Sequence, residues 1–269
     1  MQASYSIAQL TALDFSPPQI IELAARTGYD QAGMRLLPVA PGAIAYSLMD
    51  DAPMLRETLA RMNDTGVKVF DLELIRLDGQ FDLQRYLPFF EVGAQLGAKA
   101  VLVAGDDPEQ GRLIEHYARL CDAMQPFGLS ADLEFMPWTA VSDLASALHI
   151  VEQADRANGG VLVDALHFDR SDSRFEDLQR IPAQWLHYAQ ICDGPAMRPD
   201  THEGLIQAAR CERLLPGEGD IDLARIWRSL TAAVPVSVEI PNNRRVAQVG
   251  VEAWAREALA AAKAIIEPL

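Results

Sequence analysis

Short apolar runs alternate with amphipathic helical stretches along the whole chain, the pattern imposed by repeated βα units. Eight units are legible. Strand 1 runs from Tyr5 to Leu10, and its helix starts with Ser16 as N-cap and Pro17 in the first helical position, then stops before Gly28. Strand 2 lies near Gln31 to Leu36, with its helix from about Pro53 to Thr65 closing at Gly66. Strand 3 is Val67 to Leu74, followed by a helix over residues 84–96 and Gly97. Strand 4 is Ala100 to Ala104, and a Gly-Asp-Asp-Pro turn leads into a helix over residues 110–124. Strands 5 to 8 are expected over residues 130–134, 160–164, 185–190 and 235–239. An alanine-rich amphipathic helix over residues 251–266 closes the series.

No linker, low-complexity tract or shift of composition interrupts these units, so residues 1–269 read as one α/β domain. Eight βα units in this length favour a single (β/α)8 TIM barrel over a doubly wound sheet. No Gly-x-Gly-x-x-Gly follows strand 1; Gly159 and Gly160 precede a strand instead of opening a helix. A TIM barrel places its active site at the C-terminal ends of its strands.

Composition narrows the class without changing the fold. Of the 269 residues, 49% are hydrophobic and 23% charged, which is ordinary for a globular protein. No stretch approaches the roughly 20 uninterrupted apolar residues that span a bilayer, and Met1 to Tyr5 lacks the features of a signal peptide, so a cytoplasmic location and no membrane partner are expected. Cys121, Cys192 and Cys211 are odd in number and show no Cys-x-x-Cys spacing; they read as reduced packing residues. The net charge of −15 argues against nucleic acid, because neutralising phosphates needs clustered Lys and Arg. A small polar substrate fits better, local arginines could still hold one phosphate, and a homo-oligomer stays open.

The chemistry is concentrated at four strand ends. Strands 5, 6 and 8 end in Glu134, Asp164 and Glu239, and strand 7 ends in Gln190. An ionised group beside a packed core needs a partner, a metal or solvent, so three acids in this pattern propose a metal site and an enzyme. These side chains supply only oxygen ligands, if Gln190 coordinates through its carbonyl oxygen. Such a set suits one divalent cation, Mn²⁺ before Mg²⁺ or Co²⁺, better than a tetrahedral zinc.

In order, Leu133–Pro137, Val163–His167, Ala189–Gly194, Leu215–Asp222 and Val238–Pro241 resemble the xylose isomerase-like TIM-barrel family of sugar-phosphate isomerases and epimerases. The resemblance spans essentially the whole chain but leaves the substrate open. Ketose 3-epimerases, hydroxypyruvate isomerase, inosose isomerase and dehydratase, dehydroshikimate dehydratase and endonuclease IV share the scaffold. Five histidines and a charge of −15 fit poorly with an endonuclease IV-like trinuclear zinc site.

By resemblance to the ketose epimerases, Glu134 and Glu239 would be both metal ligands and an acid/base pair, and Asp164 a ligand only. Gln190 replaces the epimerases' histidine and is similar instead to hydroxypyruvate isomerase and inosose dehydratase. His167, at the Asp-x-x-His spacing from Asp164, would bind a substrate oxygen. So would an arginine of the strand-7 loop, where Arg213 is preferred over Arg198 and Arg210. Trp138 would roof the pocket or pack under a helix.

The expected reaction is isomerisation or epimerisation of a small sugar, keto-sugar or sugar acid through an enediolate. Loss of a β-hydroxyl from the same intermediate gives the alternative, a dehydratase or lyase of the inosose- or dehydroshikimate-dehydratase kind. Pro216 to Asp220 reads as a structural turn, and Arg35 and Glu73 as an ion pair at the barrel mouth.

Overall fold

The computed structural model describes residues 3–40 and 42–269. Eight parallel strands close into one barrel in chain order: β1 (Tyr5–Ile7), β2 (Gln31–Arg35), β3 (Lys68–Leu77), β4 (Ala100–Gly105), β5 (Ser130–Glu134), β6 (Gly159–Asp164), β7 (Ala189–Ile191) and β8 (Val236–Val238). β8 pairs back onto β1, with Ser6 opposite Ser237. The helices are α1 (Pro17–Thr27), α2 (Ala52–Thr65), α3 (Leu87–Leu96), α4 (Gln110–Met124), α5 (Leu144–Ala154), α6 (Ala165–Arg170), α7 (Phe175–Leu178), α8 (His202–Cys211), α9 (Leu223–Ser229), α10 (Asn243–Val249) and α11 (Val251–Ile266).

The helix ends follow the expected local chemistry. Ser16 and Gln19 form a reciprocal capping box at the start of α1, and Gly28 ends it at φ 89°, a left-handed turn that glycine adopts without steric cost. α11 is held to the barrel wall by Trp254, whose indole N–H donates to the Ile240 carbonyl at 2.8 Å. Strands buried on both faces divide the apolar residues into two sets. Val69, Leu72, Val101 and Val103 join the core shared with the helices, whereas Phe70, Ala100, Leu102, Leu162 and Tyr188 form a smaller cluster of their own.

Several expected boundaries differ: β3 runs on to Leu77, and β8 is confined to Val236–Val238, so that Glu239 lies just beyond it. β1 ends at Ile7 because Gln9 is claimed by its neighbours: its amide donates to the Phe15 carbonyl at 2.8 Å and accepts from the Arg35 N–H at 2.5 Å, turning Gln9–Ala12 into a 3-10 helix. The third helix begins at Leu87, not residue 84, after a separate 3-10 turn over Leu83–Tyr86, and Pro88 lies in its first turn. β7 is confined to Ala189–Ile191, since Ala183–Trp185 form a 3-10 turn and His187 Nδ1 lies 2.6 Å from Asp132 Oδ1.

Gly160 makes room for that crossing. A Cβ there would lie 2.5 Å from the Trp185 carbonyl oxygen and 2.7 Å from His187 Nδ1. Gly160→Ala is therefore expected to destabilise the barrel by about 1–3 kcal/mol, the usual cost of overpacking. A urea midpoint equal to that of the unsubstituted protein would show that the backbone can yield.

Candidate active site

Glu134 closes β5, Asp164 closes β6, Gln190 is the middle residue of β7, and Glu239 follows the last residue of β8. Strand register decides their heights. Asp164 is level with Gln190, and Gln190 with Ser237, so Glu239 stands two residues further toward the barrel mouth. All four side chains are buried.

Asp164 has a second task that explains the Asp-x-x-His spacing. It is the N-cap of α6, and its Oδ1 accepts the backbone N–H of His167 at 2.9 Å. The cap turns the chain so that the His167 ring comes back over the strand ends, with Nε2 3.8 Å from Glu134 Oε1. Trp138 packs edge-on against that ring at 5.0 Å between centroids, and both line a cavity with Glu134 and Glu239. Burial pushes the His167 pKa down to about 4, so at neutral pH the ring is an uncharged hydrogen-bonding group.

Arg213 lies at the centre of the site. One guanidinium nitrogen is 2.6 Å from Asp164 Oδ2, the other 2.8 Å from Glu239 Oε2, and Nε donates to the Ala209 carbonyl at 2.8 Å. Its backbone is held from both sides: its N–H donates to the Pro241 carbonyl at 3.1 Å, and its carbonyl accepts from the Asn242 amide at 2.9 Å. The strand-7 loop is thereby bound to the end of strand 8, a pairing that no local sequence signal contains.

Electrostatics divide the three acids. Burial raises the Asp164 carboxyl, but the Arg213 guanidinium and then His167 reverse that and hold it below its ordinary range. Burial, followed by the charges of Asp164 and Glu239, holds Glu134 well above its ordinary value. Glu239 is raised to about 7, by burial first, against the opposing pull of Arg213.

The donor set fits a hard divalent cation. Glu134, Asp164 and His167 offer ligand atoms within 4.8 Å of one another. Glu134 Oε1 and both amide atoms of Gln190 are buried with no hydrogen-bond partner among the described residues. Ionising all three carboxylates against one guanidinium would leave two uncompensated negative charges, which is why burial holds Glu134 and Glu239 up and which a divalent ion would offset. Because Asp164 and Glu239 are both paired with Arg213, an ion shared by all three acids competes with that guanidinium.

The expected Arg35–Glu73 pair forms at 2.5 Å. Of the other arginines weighed for the strand-7 loop, Arg198 lies 3.6 Å from Asp169, and Arg210 lines the cavity. Asp193 is a further structural residue of the site: its carboxylate accepts the backbone N–H groups of Gly217 and Gly219 at 2.8 and 3.1 Å and shapes the turn over Pro216 to Asp220. An Asp three residues after the strand-7 glutamine was the available signal.

A family model described as xylose isomerase-like TIM barrel matches residues 21–265. The chain is 23% identical over 239 residues to a 3-dehydroshikimate dehydratase of Pseudomonas aeruginosa, covering 73% of this chain but 37% of that protein. It is 26% identical over 216 residues to an inosose isomerase of Bacillus velezensis, covering 76% of this chain and 75% of the relative. Among solved structures, the IolI protein with a bound zinc atom superposes with a TM-score of 0.80 at 20% identity over 98% of both chains, a likeness of fold.

The raised Glu134 has a consequence for stability. A folded-state value above the unfolded 4.5 means that the native state keeps a proton the unfolded chain releases, so the metal-free protein loses stability as pH rises from 4.5 through the folded value. Glu134→Gln removes Glu134's share of that slope and leaves the share of raised Glu239. In chelator the variant should exceed the unsubstituted protein in unfolding free energy from urea titration at pH 8, by about 1.4 kcal/mol for each pKa unit of the shift, and match it near pH 4.5. Parallel pH profiles would mean that Glu134 ionises without cost.

Proposed function

The chain belongs to the xylose isomerase-like TIM-barrel family, and on that premise we propose that it is a divalent-metal-dependent enzyme that isomerises or epimerises a small sugar, keto-sugar or sugar acid through an enediolate. The observation that carries this reading is the separation of the carboxylates. Glu134 and Glu239 face one cavity with His167, both carboxyls raised by burial in the metal-free protein, while Arg213 holds Asp164 ionised.

A bound divalent cation would supply Lewis-acid polarisation of a carbonyl and its neighbouring hydroxyl. Glu134, Asp164, Gln190 and Glu239 are the residues proposed to hold it, as Mn²⁺ first and Mg²⁺ or Co²⁺ next. The zinc of the IolI structure keeps that ion among those to be tried. Within the cavity, one of Glu134 and Glu239 removes the proton next to the carbonyl, and the other returns a proton. Return to the same carbon from the opposite face inverts it; return to the neighbouring carbon exchanges aldose and ketose. Neutral His167 donates a hydrogen bond to a substrate oxygen, Arg213 keeps Asp164 charged and orients Glu239, and Trp138 walls the cavity beside His167.

A second reading, dehydration of a cyclic polyol or keto-sugar, is favoured by the likeness to a 3-dehydroshikimate dehydratase and by glutamine at position 190. The chain spans 37% of that relative's length, so the relative's activity enters as a proposal alone. No described helix is long and apolar enough to cross a membrane, and a cytoplasmic place is part of the proposal.

Proton NMR in D2O with Mn²⁺ and a panel of keto-sugars and sugar acids tests the main reading. Deuterium incorporation with conserved carbon skeleton and mass balance supports isomerisation or epimerisation, whereas a new alkene or dicarbonyl signal moves the assignment to the second reading. Glu134→Gln and Glu239→Gln should each lower kcat by about 10²–10⁴-fold, the usual contribution of a positioned acid or base. Retention of most turnover at saturating metal would remove the two-carboxylate mechanism. His167→Ala should raise KM or lower kcat while metal content, read by elemental analysis, stays unchanged. Loss of the ion would place His167 among the ligands.

A further inference from the structure

The cavity that holds Glu134, His167 and Glu239 is small, ≈ 50 Å³, against the roughly 300–1,000 Å³ of sites that enclose a whole ligand. It does not end there. Leu10, Arg35, Val39 and Arg210 also line an adjoining cleft of ≈ 680 Å³, so a molecule with its reacting carbons at the two glutamates extends into that cleft.

Much of the cleft wall is apolar. Leu10, Leu13 and Phe15 come from the segment after β1, Val39 and Ile44 from the segment after β2, and Val246 from α10. Among the described residues, Leu10, Leu13 and Val39 pack against neither hydrophobic cluster of the barrel, although all three are partly buried, and Ile44 is 44% exposed. Aliphatic side chains gathered on a concave surface without core neighbours leave apolar area to water, and an apolar ligand removes that cost.

The polar groups of the same wall have little to offer a hydroxylated molecule. Thr11 donates its hydroxyl to the Val238 carbonyl at 3.0 Å and accepts the Ile240 N–H at 2.9 Å. Asn242 donates to the Arg213 carbonyl at 2.9 Å and accepts the Arg245 N–H at 3.0 Å, and Arg35 is paired with Glu73. Asp14 and Asn243 are exposed, and Arg210 is half-buried where the cleft meets the catalytic cavity. A sugar hydroxyl pressed against Leu13 or Val39 would give up water without gaining a partner.

The cleft is also preformed. Gln9 donates its amide to the Phe15 carbonyl at 2.8 Å, and Tyr46 joins the two loops, its hydroxyl donating to the Leu13 carbonyl at 3.1 Å and its N–H to the Arg35 carbonyl at 2.9 Å. We propose that this cleft is a subsite for an apolar substituent of the substrate, so that the site takes a sugar or sugar acid bearing an aryl or alkyl group. The hydroxylated end lies at Glu134 and Glu239 and the apolar end against Leu10, Leu13, Phe15, Val39 and Ile44. The proposal rests on the reading of the catalytic cavity as a sugar-transforming site.

Isothermal titration calorimetry with Mn²⁺ present tests this apart from turnover, using methyl, phenyl and n-hexyl β-D-glucopyranosides and the matching β-D-xylopyranosides. In at least one series the phenyl or hexyl member should bind tenfold or more tightly than the methyl member. Leu13→Asn and Ile44→Asn should each cut that ratio threefold or more, and both variants should fold, as read by urea unfolding, because neither side chain packs in the barrel core. Leu269→Asn changes an exposed leucine beside Ser4 and Val236, at the opposite end of the barrel, and should leave the ratio as it is. The proposal falls if neither series shows the preference, through equal binding or none, if the Leu13→Asn Ile44→Asn double variant keeps it, or if Leu269→Asn removes it. A preference that depends on Leu13 and Ile44, together with unimpaired turnover in Glu134→Gln, would leave the apolar subsite standing and remove the proton-transfer mechanism. Absence of the preference, with turnover lost in Glu134→Gln, would do the reverse.

Discussion

The barrel mouth depends on one ion-pair network, the guanidinium of Arg213 between Asp164 and Glu239. All three side chains are buried, where an isolated charge costs several kcal/mol to desolvate and an unsatisfied donor adds to that cost. The geometry meets this demand: separate nitrogens address the two acids, and Nε is spent on a backbone carbonyl. Removing the arginine would leave two carboxylates facing Glu134 without a cation. The consequence is functional as well as structural, because the same guanidinium draws Asp164 below its ordinary range, while burial outweighs it at Glu239.

Charge economy extends down the barrel. Gln190 sits level with Asp164 in the strand register, where a further carboxylate would have to be neutralised in an already acidic interior. The amide supplies an oxygen without a charge. Asp71, fully buried on β3, shows what the interior does to an acid that has no cation: burial, and then Glu73, push its pKa well above the ordinary range, which favours the neutral acid. Gly33 on the neighbouring strand leaves the space for it, since a Cβ there would lie 2.9 Å from both Asp71 oxygens. Asp164 is thus held ionised by a cation, whereas burial favours the neutral form of Glu134 at the mouth and of Asp71 below it.

Loops complete the site by long-range contact. Asp193 draws the Gly217 to Ile221 turn onto β7, and Arg213 and Asn242 clip the strand-7 loop to the chain after β8. The end of α8 is thereby held at the cavity, which Ala209 and Arg210 line. Residues on that helix owe their position to the loop's path, whereas the strand-end acids owe theirs to strand register.

Much of this was legible along the chain because it is periodic or local. The alternation of apolar runs and amphipathic stretches, the Ser16–Pro17 start, the closing glycines and acids at strand ends follow from dihedral preferences and two-sided burial, which act over a few residues. The same locality put His167 one helical turn beyond the cap that Asp164 provides. Where a strand stops was less legible: Gln9 ends β1 by bonding residues on two other segments, and β7 is shortened by a crossing that Gly160 admits from β6. Spacing could name Arg198, Arg210 and Arg213 without dividing their roles. Only the tertiary structure could do that, because a long loop's path is set by distant partners: it places Arg213 between two acids from different strands and Arg210 on the cavity wall.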